Sequence, residues 1–191
     1  MDRFMGLRPL GTAAASPING LSTQRSVPWT LKSEEGKTVV LTFFDSSCRD
    51  LCPVLGSEIQ LAQARLGSRA AMTEFVIVNT DPSSTAISAR PPALSITGLS
   101  ALSDVVFLNG PLPRLSDVWN AYGIQVVVTN AGSVVHNDAM YFIDPQGRLR
   151  SLAIPFADQA PDGAYSLSQA DVSRFATGIA TAASTISKSA S

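Results

Sequence analysis

TVVLTFFDSSCRDLCPVLGSEIQLAQARLG, residues 38–67, carries the pattern that decides the architecture of this 191-residue chain. Residues 38–44 are an unbroken run of β-branched, aliphatic and aromatic side chains. A short run of this kind, bounded by turn residues, reads as a strand buried on both faces. From Leu51 the period changes: Leu51, Leu55, Ile59, Ala62 and Leu66 recur at three- and four-residue intervals. That stripe predicts a helix with one buried face, ended by Gly67. Pro53 fits the first turn, where a missing N–H costs little. Ser46, Ser47 and Asp50 are candidate caps. The strand-to-helix junction therefore falls on Cys48-Arg49-Asp50-Leu51-Cys52-Pro53.

Working outward, residues 27–31 (VPWTL) read as a short strand and 33–37 as a turn. Residues 74–80 (EFVIVNT) are a second buried strand, followed by an Asp81-Pro82 turn. Pro91-Pro92 interrupts any helix over 84–103. Residues 104–108 predict a strand, 113–122 a helix ending at Gly123, and 124–129 an extended segment. Trp119 and Tyr122 read as packing residues of that helix. Residues 139–144 and 148–154 flank Pro145-Gln146-Gly147 and predict a β-hairpin. Residues 168–183 predict a closing helix with Ser168 as cap and Val172, Phe175, Ile179 and Ala182 as its apolar stripe. Strands alternating with helices, then a late hairpin, give the α/β class. The expected division is a flexible lead-in or linker over 1–26, one folded domain over 27–184 and a disordered tail over 185–191.

Composition narrows the function. Hydrophobic residues make up 45%, charged residues 15%, and the net charge is −1. That is globular composition, and it lacks the clustered positive charge that nucleic-acid binding needs. No stretch approaches the ~18 apolar residues of a membrane span. Residues 1–26 also lack the apolar run of a signal peptide, which leaves a cytoplasmic protein or a trimmed targeting segment as alternatives.

The chain has two cysteines and one histidine. A helix N-terminus carries partial positive charge and unpaired N–H groups, which favour thiolate over thiol. CxxxC spacing sets Cys48 and Cys52 about one helical turn apart, inside the roughly 4.4–6.8 Å Cα separation that a disulfide tolerates. The same pair can chelate one metal ion, and soft thiolates favour Cu(I). In a thioredoxin-like fold the loop before the hairpin returns beside the first helix, which is where His136 lies. Its imidazole would complete a Cys48–Cys52–His136 site for Cu(I), or for Cu(II) with further ligands.

Three segments, in order, give the chain its resemblance to the Sco/SenC family: TVVLTFFDSSCRDLCPVL, FVIVNTDPSSTA, and His136 followed by YFIDPQGRLR. WNAYGI resembles the family's segment between them. The resemblance covers about Val27 to Ala183. It implies a thioredoxin-like fold with a central mixed sheet flanked by helices and a C-terminal hairpin and helix. It also implies copper held by Cys48, Cys52 and His136 and a role in assembling the Cu(A) centre of cytochrome c oxidase. The implied partners are an oxidase subunit or another copper protein and a copper donor. The implied location is extracytoplasmic, with a membrane anchor preceding the domain. Val135 and Asn137 stand where the family commonly has Asp and Ser or Thr, so the surroundings of the imidazole are this chain's own. The competing reading is a thiol–disulfide oxidoreductase using Cys48 and Cys52 alone. A peroxiredoxin-like peroxidase would need an Arg and a Ser or Thr around a single activated cysteine, and Arg49 is too near in sequence for that role.

Overall fold

The computed structural model describes residues 6–46, 48, 51–87 and 91–188. In chain order the elements are β1 (Arg8–Pro9), β2 (Leu21–Thr23), β3 (Pro28–Trp29), β4 (Thr38–Phe44), α1 (Cys52–Leu66), β5 (Thr73–Asn79), α2 (Pro92–Ile96), β6 (Val105–Asn109) and α3 (Leu112–Ala121). There follow β7 (Val126–Val128), β8 (Val134–His136), β9 (Met140–Ile143), β10 (Leu149–Ala153), β11 (Asp158–Gln159), β12 (Tyr165–Ser166) and α4 (Gln169–Lys188). Eight strands form one mixed sheet in the order β1-β10-β9-β4-β5-β6-β2-β3. Strands β4, β5 and β6 run parallel at its centre, and β9 joins β4 antiparallel. Two small sheets, β7-β8 and β11-β12, stand apart from it.

All seven residues of β4 are buried. Because strand side chains alternate between faces, β4 supplies two cores. Val40 and Phe44, with Phe75, Ile77, Val105 and Phe107, pack under α1 and α4. Val39, Leu41 and Phe43, with Val76, Val78 and Leu108, meet Leu115, Val118 and Trp119 of α3. The helix predicted over 51–66 is α1, and Gly67 follows it at φ 56°. Gly56 lets α1 approach the turn after α2: a Cβ there would overlap the Thr97 carbonyl. The predicted hairpin is β9-β10. Buried Asp144 closes it by accepting from the Gln146 and Arg148 amides and from the Arg148 and Arg150 side chains.

Three expectations are corrected. Residues 6–26 are not a loose lead-in: β1 pairs with β10, β2 pairs with β6, and Ile18 and Leu21 are fully buried. Two isolated apolar residues leave no periodic signal, and backbone pairing along a sheet edge needs none. The C-terminal helix runs on to Lys188, because Ile186 extends its buried stripe one more turn. Residues 1–5 and 189–191 lie outside the described residues. Finally, the N-cap of α1 is Leu51, and no side-chain cap bond is made there among the described residues. Ser46 instead serves Asp81, while Ser47 and Asp50 lie outside the described residues. The predicted cap at the last helix holds: Ser168 Oγ accepts from the Asp171 amide at 3.1 Å.

Glu58 is buried on α1, and burial pushes its carboxyl from 4.5 up to about 8. A carboxyl raised in the folded state contributes stability that is complete below the unfolded value and is lost as pH rises through the folded one. The thermal midpoint of the wild type should therefore fall between pH 5 and pH 8, and that of Glu58→Gln should fall less. Parallel pH profiles of the two proteins, read by thermal melts, would count against this assignment.

Candidate metal centre

The cysteines sit where β4 leaves the sheet. The Cys48 amide donates to the Asp45 carbonyl at 3.2 Å, forming a turn beyond the strand end. Cys52 opens α1, with Pro53 behind it in the first turn. The two are joined by a disulfide, with Cα atoms 5.9 Å apart. Cys52 is buried at 3% exposure, whereas Cys48 is half-buried. The first turn of α1 holds no acidic side chain; its N-cap, Leu51, makes no side-chain cap, and the Val54 and Leu55 amides donate to the Leu51 carbonyl at 3.0 and 3.1 Å. The partial positive charge of a helix N-terminus favours thiolate over thiol there once the disulfide is reduced.

A buried polar network holds this loop from below. Ser46, two residues before Cys48, donates to Asp81 Oδ2 at 2.8 Å. The other carboxylate oxygen accepts from the Ser83 amide at 2.8 Å and from its hydroxyl at 2.6 Å. Burial pushes the Asp81 carboxyl up, but the bonds from Ser83 and Ser46 outweigh it and hold the group below its ordinary 3.8. Asn79 continues the network by donating to the Asp81 and Ser84 carbonyls and to Asn109 Oδ1. Read from sequence, Asp81-Pro82 is plain turn chemistry; in the fold Asp81 is a buried support of the cysteine loop. The available signal was a run of polar residues (Asn79, Thr80, Asp81) directly after a buried strand.

His136 lies on a different element. It ends β8, opposite Val126 in the β7-β8 ribbon. Its side chain is 8% exposed, with Nδ1 3.9 Å from Asp138 Oδ1. Burial raises the pKa of Asp138, and the charge of His136 opposes that rise. Among the described residues no group of three or more His, Cys, Asp or Glu is gathered closely enough to hold a metal ion. The structure thus brings Cys48 and Cys52 together, pairs His136 with Asp138, and does not draw the two pairs into one cluster. The donor set suits copper chemically. Reduced, the cysteines offer two soft sulfurs on one helix end, and the imidazole is a donor suited to the same ion. Closed as a disulfide, the sulfurs have no thiolate to offer.

A family model described as SCO1/SenC matches residues 16–166. No curated protein sequence matches the chain. Among solved structures, copper-bound ScoI of Arabidopsis thaliana superposes with a TM-score of 0.69 at 18% identity, covering 89% of this chain and 98% of that one. A SCO1/SenC family lipoprotein of Bacillus anthracis str. Ames gives 0.64 at 20% identity, covering 91% and 98%. BsSco, a member of the Sco family of cytochrome c oxidase assembly proteins in which a disulfide switch was identified, gives 0.60 at 16% identity, covering 93% and 96%. At such identities the likeness establishes the fold: a central mixed sheet flanked by helices, thioredoxin-like, with the C-terminal hairpin and helix expected from the sequence.

The unequal burial of the sulfurs makes a prediction about exchange, since attack follows access. An external thiolate should attack Cys48 and release Cys52. A Cys52→Ser variant should accumulate a mixed disulfide readily, and Cys48→Ser should do so more slowly. Mass spectrometry after timed acid quenching reads both rates, and the reverse order would contradict the assignment.

Proposed function

The chain belongs to the SCO1/SenC family, and from that premise we propose that it binds copper through Cys48, Cys52 and His136 as an assembly factor for the Cu(A) centre of cytochrome c oxidase. The observation that carries the proposal is the cysteine pair itself: two sulfurs close enough to bond, at a helix start, in a fold shared with copper-bound relatives. Reduction of the disulfide by two electrons yields two thiols. Loss of their protons gives the pair of soft ligands that copper prefers. Reoxidation removes both ligands at once, so metal loading is gated by redox state. His136 supplies the third donor once its ribbon and the cysteine loop meet.

The partners that follow are an oxidase subunit carrying Cu(A) or another copper protein, and a protein that donates the metal. The location is extracytoplasmic, with a membrane anchor preceding the domain. The lipoprotein relative supports that reading. No helix among the described residues is long and apolar enough to cross a membrane.

A second reading has its own support in the closed disulfide. A dithiol that cycles between two states can also reduce cysteines of a partner. That activity needs Cys48 and Cys52 but not His136, so one variant separates the readings.

Anaerobic titration of the reduced full chain with Cu(I) against a competing chelator should give one copper per chain. Cys48→Ala and Cys52→Ala should each abolish tight binding, and His136→Ala should weaken it sharply. Copper uptake unchanged in His136→Ala would reject the three-donor site. If that variant also kept full thiol–disulfide exchange, the oxidoreductase would be the better description.

A further inference from the structure

The β7-β8 ribbon forms a sheet of its own, and its outer valines are exposed: Val127 at 58%, Val135 at 55% and Val128 at 52%. Val127 and Val135 face each other across the strands. These side chains do little to hold the ribbon to the body by burial. Val126, opposite His136, packs against the core, and polar ties at the base add to that hold; one side chain makes two of them. Asn137 Oδ1 accepts from the Gln125 amide at 2.7 Å, and Asn137 Nδ2 donates to the Gly123 carbonyl at 3.1 Å. Gly123 and Gln125 lead into β7, and Asn137 follows β8. A single carboxamide therefore staples the incoming and outgoing ends of the ribbon, next to the residue that carries the imidazole.

The backbone of the same residue acts on the ring. Nδ1 of His136 lies 3.2 Å from the Asn137 carbonyl oxygen. A carbonyl can only accept, so Nδ1 carries the proton. Asp138 Oδ1, 3.9 Å from the same nitrogen, favours the same assignment. The neutral ring is then the Nδ1–H form, and its lone pair is on Nε2. With 8% of the side chain exposed, the ring is not a free surface rotor.

We propose that Asn137 is the positioning residue for His136: its carboxamide pins the ribbon base, and its carbonyl keeps the proton on Nδ1 so that Nε2 carries the lone pair for a soft metal ion. The proposal rests on the reading of His136 as a copper donor, and adds which atom donates and what aims it.

The chain has one histidine, so its imidazole signals need no assignment. Long-range 1H–15N NMR of the reduced, metal-free chain at mildly alkaline pH, where an imidazole is neutral, should show the Nδ1–H form. A dominant Nε2–H form would overturn the proposal without any variant. Asn137→Ala keeps the backbone carbonyl but loses the carboxamide that holds it in place, so the Nδ1–H form should become less populated. Cu(I) affinity in competition with a chelator should fall about tenfold, the scale of losing a group that orients a metal ligand. Asn137→Asp, which keeps the acceptor for Gln125 and loses the donor to Gly123, should lie between Ala and wild type. In a His136→Ala background the Asn137→Ala change should have no further effect on affinity. An equal loss there would mean that Asn137 acts through the fold, and the proposal would fail. If His136→Ala alone leaves Cu(I) affinity unchanged, the donor reading fails, while the tautomer still decides whether Asn137 positions the ring.

Discussion

Everything in this molecule depends on one strand that has no solvent-facing side. Each residue of β4 is buried, so both faces of the sheet must be covered: by α1 and α4 on one side and α3 on the other. Its parallel neighbour β5 ends beside it, and the Thr80 amide donates to the Phe44 carbonyl at 2.9 Å where the two strands stop. The loops leaving parallel strands at their C-terminal ends are where open α/β sheets place their chemistry. Here those loops bear Cys48 and Asp81, and the Ser46–Asp81 bond ties one to the other. The cysteine pair is thus seated where the central parallel strands end.

The histidine answers to different forces. It sits on a two-stranded ribbon outside the main sheet, where Val126 packs against the core and the Asn137 carboxamide ties the base with two bonds. The two halves of the candidate centre are therefore under separate control. Cys52 is fixed by burial and the disulfide, the imidazole by its own burial and by polar contacts at a ribbon base. Polar contacts of this kind each contribute only about 1 kcal/mol net, which is small beside the burial of a strand with two apolar faces.

Much of this was legible in the residues. The change of period at Cys48–Leu51 locates the strand-to-helix junction, and Gly67 marks the end of α1. Asp144-Pro145-Gln146-Gly147 marks the hairpin, because its turn chemistry is local. What escaped was non-local. Residues 8–9 and 21–23 join the sheet edges through backbone pairing, which carries no side-chain pattern. Ser46 reads as a helix cap because caps are Ser-rich, but the buried Asp81 carboxylate, on the loop after β5, accepts from its hydroxyl instead. The strand ending at His136 is three residues long and forms only against its ribbon partner.

The order of residues alone determined the α/β class, the place of the two cysteines at a helix start, and the family resemblance that the SCO1/SenC match bears out. These follow from periodicity, turn chemistry and spacing, which act over a few residues. Tertiary structure decided the rest: that Asp81 supports the cysteine loop, that Asn137 staples the ribbon, and that His136 pairs with Asp138 instead of joining the sulfurs. Those contacts join elements that are distant in sequence or set in a turn geometry of their own. Their energies exist only once the packed sheet has brought the groups within hydrogen-bond range.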